Sequence, residues 1–476
     1  MSIELIGVIT IVVGLISIFR NPSFIIYVFV FSTLLGAAAG LILDSLGGAS
    51  VSPAHLLLGF VVYRLMNDRE IARGAIDSIK PGRPGFWLAV TVFYALVTAF
   101  IFPRLFAGET FVFPVRAQNR YTELLQPATS NLTQSVYLIG NLVCFAVVSG
   151  VASSRSGTKV LLNAVLATAV ANLIFACLDL ATYTTNTAEI FSFIRNASYT
   201  IYADDVAAGF KRIIGSFTES SAFGSMTLGY FALTMRLWLL GVYPRFTLSV
   251  TALSCVALLF ATSTTAYVGL VLYLALLYCE LLVRMMVGPV LPQVRLFIFA
   301  TPVLLATVLI VIALNDTSWA YFQSLLDTFV FNKLNTASGE ERSAWNSQAL
   351  QSFLDTYGFG VGNGSARASS FLIATLAGLG VLGTIAFGLF FAGLFLTKTR
   401  KSSVDPLGYA LQLGARSSCV AWLISNSLSN PTIDLGLAFF ILAAIGCSRS
   451  APEPLQALTL PPWKQWESKS AIGRPV

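Results

Sequence analysis

An all-α, polytopic integral membrane protein is the fold class the chain predicts, and three observations predict it. Of 476 residues, 56% are hydrophobic and only 11% charged, against about 45–50% and about 25% in soluble domains; the mean hydropathy is +0.78. The apolar residues fall in long runs, close to the roughly 20 needed to cross a hydrocarbon core about 30 Å thick. Those runs, such as FLIATLAGLGVLGTIAFGLFFAGLFL, do not alternate in polarity as a transmembrane β-strand does. Only helices and closed barrels satisfy their backbone polar groups in lipid, so helices are expected.

Thirteen such segments begin near residues 3, 23, 53, 86, 135, 159, 222, 245, 264, 294, 369, 406 and 433. The basic residues of the short loops set the orientation. Arg20; Arg69, Arg73, Lys80 and Arg83; Arg155 and Lys159; Arg236 and Arg245; Arg284 and Arg295; and Lys398, Arg400 and Lys401 fall in every second connection. That pattern predicts an outside N-terminus and a cytoplasmic C-terminus. Residues 1–450 then form one helical membrane domain, and 451–476 a tail carrying Lys464, Lys469 and Arg474. The net charge of +7 reads as topology, and no nucleic-acid site is implied.

The first apolar stretch has no basic n-region or clear cleavage site, so it reads as a retained span. The six cysteines lie in apolar segments without C-x-x-C or metal spacing, and no His/Asp/Glu cluster has ligand spacing. Neither a metal nor another cofactor is expected. The single histidine, His55, has no visible partner and reads as a packing or hydrogen-bonding residue at a span end.

Long outer loops are expected at about 105–134, 184–221 and 315–368, and loops of such length are where function is sought first. Within the third, SGEERSAWNSQALQSFLDTYG has Ser338 and Glu341 in capping-box spacing, predicting a helix from about 339 that stops at Gly358. At 100° per residue Trp345, Ala349, Leu350, Phe353 and Tyr357 share an apolar face, with Glu341, Gln348, Ser352 and Asp355 opposite. Arg342 and Asn346 fall on the apolar side. A guanidinium facing inward either holds an anion, pairs with a carboxylate, or snorkels. The following GFGVGNGSARASS alternates glycines before Arg367, Ser369 and Ser370; it reads either as an anion nest or as a flexible re-entry loop.

Lys211 and Arg212 precede GSFTESSAFG, in which Glu219 stands at the mouth of the seventh segment; ATSTTAYVGL follows at 261–270, then ERSAWNSQAL, then YGFGVGNG and a span containing AGLGVLG. This order of features, over about residues 205–395, resembles the bacterial O-antigen polymerase and O-antigen ligase superfamily, which includes exopolysaccharide polymerases. The sequence departs from the family pattern at Ser221, where Pro or Asn is common, and at Thr264 and Thr265, where Arg is common. It also has no His near the end of the third loop, which favours polymerase over ligase.

The resemblance implies a polysaccharide polymerase of the bacterial inner membrane, multi-pass, acting at the periplasmic face. It would transfer a glycan from an undecaprenyl-diphosphate carrier onto a sugar hydroxyl of another lipid-linked repeat unit. Its partners would be that lipid-linked oligosaccharide, the bilayer, and a chain-length regulator and flippase. Such a transfer needs cations for the leaving diphosphate and a base for the acceptor hydroxyl. Arginine suits the first because its fork binds phosphate oxygens bidentately. Arg212 and Arg342 are therefore assigned to catalysis with Glu219 as base, and Lys211, Asn346, Arg367 and Ser369 to substrate binding. Glu219 also suits a plain helix N-terminal charge.

Thr264 and Tyr267, where the ninth segment begins, are candidates for sugar or carrier contact, with helix capping the alternative for the Ser/Thr run. Arg416, inside the twelfth segment, is a substrate-binding candidate or the partner of Asp179 or Asp434. Gly378, Gly380 and Gly383 read as helix packing. Ligase-type transfer to a different acceptor and a lipid-linked oligosaccharide flippase are the alternative functions; the clustering of charged candidates in loops rather than at mid-membrane favours an enzyme over a transporter.

Overall fold

A computed structural model describes residues 1–449 except 47, 116–120, 199–200, 203–205, 208–209, 328–336 and 401. The expected tail at 451–476 lies outside the described residues. The architecture is helical, in chain order α1 (Leu5–Phe19), α2 (Pro22–Ser32), α3 (Pro53–Met66), α4 (Arg69–Ser78), α5 (Pro84–Leu105), α6 (Thr129–Ser153), α7 (Arg155–Thr184), α8 (Ser220–Leu239), α9 (Pro244–Phe260), α10 (Thr264–Val287), α11 (Pro292–Ala313), α12 (Asp316–Leu326), α13 (Ala337–Asp355), α14 (Phe371–Leu396), α15 (Pro406–Leu428) and α16 (Gly436–Cys447). Among the described residues three small antiparallel sheets, one of them the hairpin Phe111–Val112 with Glu123–Leu124, decorate the loops without closing a barrel.

Each of the thirteen apolar segments contains a helix. Among the described residues six helices (α5, α6, α7 from Ser156, α10, α11 and α14) are long and apolar enough to cross a membrane, whereas α1, α2, α3, α9 and α16 have only 10–17 residues. At 1.5 Å per residue, the 11 residues of α2 fall well short of the hydrocarbon thickness. Helix α11 exposes Leu296, Phe299, Val303, Leu304 and Val311 by 60–66%. An apolar surface of that extent suits hydrocarbon and not water.

Two helices, α4 and α12, match neither an expected apolar segment nor the helix expected in the third loop, and both are polar-capped at their starts. The side chain of Asp68 caps α4 by accepting from the amides of Glu70 and Ile71, and Asn315 caps α12 by accepting from Ser318 N–H at 2.9 Å.

Helix α8 is the hub, buried along almost its whole length. It runs antiparallel to α15: Ser221, Ser225, Gly229 and Leu233 meet Ser429, Ser425, Trp422 and Gly414. It runs parallel to α10, with Gly224 against Ala266, Leu228 against Gly269, and Arg236 paired with Glu280. Small residues at these crossings let the backbones approach.

The first and third long loops meet on one face of the bundle. Thr110 Oγ1 donates to Asp355 Oδ2 at 2.6 Å, Gln348 Nε2 to Phe111 O at 2.7 Å, and Arg367 N–H to Phe113 O at 2.8 Å. The inward stripe of α13 runs through residues 345, 346, 349, 352, 353 and 356, so it keeps Trp345, Ala349 and Phe353 of the expected apolar face and takes in Ser352 and Thr356 in place of Leu350 and Tyr357. Ser352 and Thr356 are fully buried, while Leu350 and Tyr357 are exposed. The reason is local: Ser352 Oγ and Thr356 Oγ1 return hydrogen bonds to Ala349 O and Ser352 O, which satisfies them inside a tight packing of small side chains.

The glycine-rich run forms a strap hydrogen-bonded to α14. Gly358, Gly360, Gly362 and Gly364 all have φ between 79° and 89°. A Cβ at Gly360 would meet Ala377 O at 2.7 Å. Helix α14 breaks at Gly380 (φ 63°, ψ −166°), so Val381 N–H cannot follow the helical ladder to Ala377 O. The strap repairs both ends: Val381 N–H bonds Gly358 O at 3.0 Å, and Val361 N–H bonds Ala377 O at 2.8 Å.

Candidate functional site

On the long-loop face, Arg367 follows the strap and lies with its guanidinium carbon 3.8 Å from the centre of the Trp345 ring. Four side chains act on it electrostatically: Glu341 and Arg342 on α13, Glu219 at the start of α8, and Tyr202 in the second loop. Burial, the largest effect, holds the Arg367 guanidinium below its ordinary pKa; Glu341, Glu219 and Tyr202 oppose the shift, and Arg342 adds to it. Two guanidinium groups and two carboxylates therefore share one locality, assembled from residues far apart in sequence.

Helical spacing explains the α13 contribution. Arg342, Trp345, Asn346 and Ala349 stand at i, i+3, i+4 and i+7, one stripe of the helix. Arg342 and Asn346 are half-buried on the inward side. Asn346 serves as a clamp: its Oδ1 accepts the amides of Ser369 at 2.8 Å and Ser370 at 3.2 Å, joining α13 to the start of α14. Ser369 is correspondingly committed through its backbone, its carbonyl accepting from Asn430 N–H at 3.0 Å. Both residues, expected to contact substrate, position the stretch that carries Arg367.

Glu219 holds the N-cap position of α8 but makes no capping bond to the helix amides. Its carboxylate accepts from Ser221 Oγ, and Ser429 Oγ donates to Ser221 at 3.3 Å. Its place at the helix start is the one the plain macrodipole reading foresees. Its reach to Arg367 is what makes it a site residue as well.

Lys211 is not presented to a ligand. Its Nζ lies 3.2 Å from both oxygens of Asp179 and its side chain is 5% exposed; Arg195 Nη2 contacts the same carboxylate at 2.6 Å. The amides of Ile214 and Gly215 also donate to Asp179 Oδ2, at 2.9 and 3.1 Å. A buried carboxylate requires this compensation, so Asp179 captures the lysine and pins the segment leading to Glu219. Arg212 is half-buried in that segment, its carbonyl accepting from Lys211 Nζ at 3.3 Å.

Arg416 lies at the opposite end of the bundle. Its Nε donates to Gly446 O at 2.9 Å and Nη2 to Thr397 O at 2.6 Å, satisfying carbonyls at the C-terminal ends of α16 and α14. Neither expected partner is its own: Asp179 holds Lys211 and Arg195, and Asp434 accepts from Asn141 Nδ2 and Gly436 N–H, both at 2.7 Å. Tyr267 Oη donates to Leu259 O at 2.7 Å, a local tie across the α9–α10 turn. Thr264 opens α10, where Ser263 holds the N-cap position without a side-chain capping bond. His55 shares a 2.8 Å hydrogen bond with Ser52 and packs 4.9 Å from the Tyr137 ring.

Glu341 and Tyr202 join the site without being expected there. For Glu341 the signal in the sequence is its place one turn from Trp345 and next to Arg342; for Tyr202, 48% exposed and tied by its amide to Thr218 O at 2.9 Å, no sequence signal exists. No known family profile matches the chain, and no curated protein matches it.

Proposed function

We propose that the chain is a bacterial inner-membrane polysaccharide polymerase. In this reading its thirteen apolar helices cross or enter the membrane, its N-terminus is outside, and its long-loop face is periplasmic. The substrate is a glycan on a polyprenyl-diphosphate carrier, and the acceptor is the sugar hydroxyl of a second lipid-linked repeat unit. The observation that carries the reading is the half-buried Arg367 held 3.8 Å from the Trp345 ring centre on the long-loop face, where Glu219, Glu341 and Arg342 act on its charge.

The chemistry follows from the charges. The acceptor hydroxyl gives its proton to Glu219, its oxygen forms the new bond to the anomeric carbon, and the bond from that carbon to the diphosphate oxygen breaks. The diphosphate leaves with the bonding pair, and Arg342 and Arg367 stabilise its growing charge. Stacking on Trp345 fixes the plane of the Arg367 fork, so its donors are oriented before the substrate arrives. Incubating the purified, reconstituted protein with its lipid-diphosphate repeat unit tests the reading: a ladder of products is expected, and movement of the intact lipid-linked glycan across the bilayer without a ladder makes the chain a flippase.

A further inference from the structure

Beside the charged cluster, three hydroxyl oxygens are buried without a hydrogen-bond partner among the described residues: Ser220 Oγ, Thr262 Oγ1 and Thr264 Oγ1. Ser220 is 2% exposed and Thr262 7%. A buried hydroxyl left unbonded is costly, and natural structures pair nearly all of them. Thr262 is further held at φ 45°, a conformation unfavourable for a β-branched residue.

The helix register explains why the three belong together. α8 and α10 are parallel, with Gly224 packed on Ala266 and Leu228 on Gly269. One turn back toward the long-loop face, Ser220 at the start of α8 stands beside the 262–264 turn that starts α10. Two helix N-termini therefore open side by side. Neither has an acidic residue in its first turn, and neither N-cap side chain bonds the free amides; Glu219, the N-cap of α8, accepts from Ser221 Oγ instead. Parallel helix ends carry like partial charges of about +0.5 each, an arrangement that an anion between them relieves.

The charged cluster alone does not supply that potential, because Arg342 and Arg367 are already opposed by Glu219 and Glu341. We propose that the paired N-termini of α8 and α10 form an oxyanion subsite for a phosphate or diphosphate group. Its donors are the hydroxyls of Ser220, Thr262 and Thr264 and the first-turn amides of both helices. The assignment rests on the proposed function only for what the phosphate is attached to. It adds the two helix ends to Arg342 and Arg367 as phosphate contacts.

The test uses the full-length protein in nanodiscs, titrated with inorganic pyrophosphate and, separately, with a polyprenyl diphosphate, and followed by calorimetry and phosphorus NMR. The wild type is expected to bind, and the Ser220→Ala/Thr262→Ala/Thr264→Ala variant to bind at least about tenfold more weakly, as loss of one or two net hydrogen bonds implies. Thr262→Ser and Thr264→Ser keep the hydroxyls and are expected to bind as wild type, which separates lost donors from lost fold; single Ser220→Ala serves if the triple variant does not fold. Equal binding of both probes makes the phosphate itself the ligand; binding of the polyprenyl form alone makes it the lipid head group. Binding of neither probe, or affinity unchanged in the alanine variants, overturns the subsite. If pyrophosphate binding depends on the hydroxyls while the wild type makes no ladder, the subsite stands and the polymerase reading falls. If a ladder forms with unchanged KM in the triple variant, the polymerase stands and the subsite falls.

Discussion

The guanidinium of Arg367 lies over Trp345, 3.8 Å from the ring centre, with Asn346 on the next position of the same helix bonding the amides of Ser369 and Ser370. Stacking and clamp together fix a cation that burial alone would disfavour. Lysine keeps the charge at position 367 but cannot stack or present a planar fork. Arg367→Lys is therefore expected to lower the rate of glycan transfer by about 10²-fold, the cost of misplacing one preorganised donor. Transfer rates on the reconstituted protein, at a thermal unfolding midpoint equal to wild type, check this.

Glu219 is the carboxylate at the start of α8 that also acts on Arg367. Glu219→Gln keeps its shape and its bond with Ser221 while removing the base. Transfer is expected to fall by about 10²–10⁴-fold with membrane insertion and unfolding temperature little changed. A normal product-length distribution in this variant removes Glu219 from the mechanism.

Asp179, 1% exposed, holds Arg195, Lys211 and two backbone amides. Asp179→Asn leaves two buried cations without their carboxylate, and the expected loss is about 3–5 kcal/mol of stability. Lys211→Met retains the apolar stem and leaves Asp179 its arginine, so it is expected to cost less. Denaturant unfolding of the two variants checks the order.

Much of the helical scaffold was legible in the sequence, because long apolar runs determine helices in a chain of this composition. The starts expected near 53, 245 and 406 coincide with Pro53, Pro244 and Pro406, each at the first position of its helix, where proline loses no hydrogen bond. The register of side chains was less legible. The buried face of α13 takes in Ser352 and Thr356 beside Trp345, Ala349 and Phe353, because both hydroxyls bond carbonyls one turn back and can be buried like alanine. Arg342 and Asn346 do fall inward as helical spacing indicates, yet nothing in the spacing reveals that Asn346 spends its carbonyl on the α14 amides. Lys211 and Arg416 differ from expectation for a common reason: the carboxylate and the carbonyl groups that bind them lie tens of residues away, and sequence shows a charge but not its partner.

The strap gives a prediction about backbone alone. In Gly360→Ala the added methyl carbon would lie 2.7 Å from both Ala377 O and Gly380 N, at a φ of 83°. A stability loss of more than about 1 kcal/mol is expected, with Arg367 displaced because the strap leads directly to it. Loss of stability without loss of transfer contradicts the second half.

The most direct test of the central claim is product analysis by size after the purified, reconstituted protein meets its lipid-diphosphate repeat unit, with Arg342→Ala run beside it. A ladder from the wild type that disappears in the folded variant is the predicted result. An unextended repeat unit with the wild type, or an identical ladder with Arg342→Ala, contradicts the account: the first denies the polymerase and the second removes Arg342 from the site.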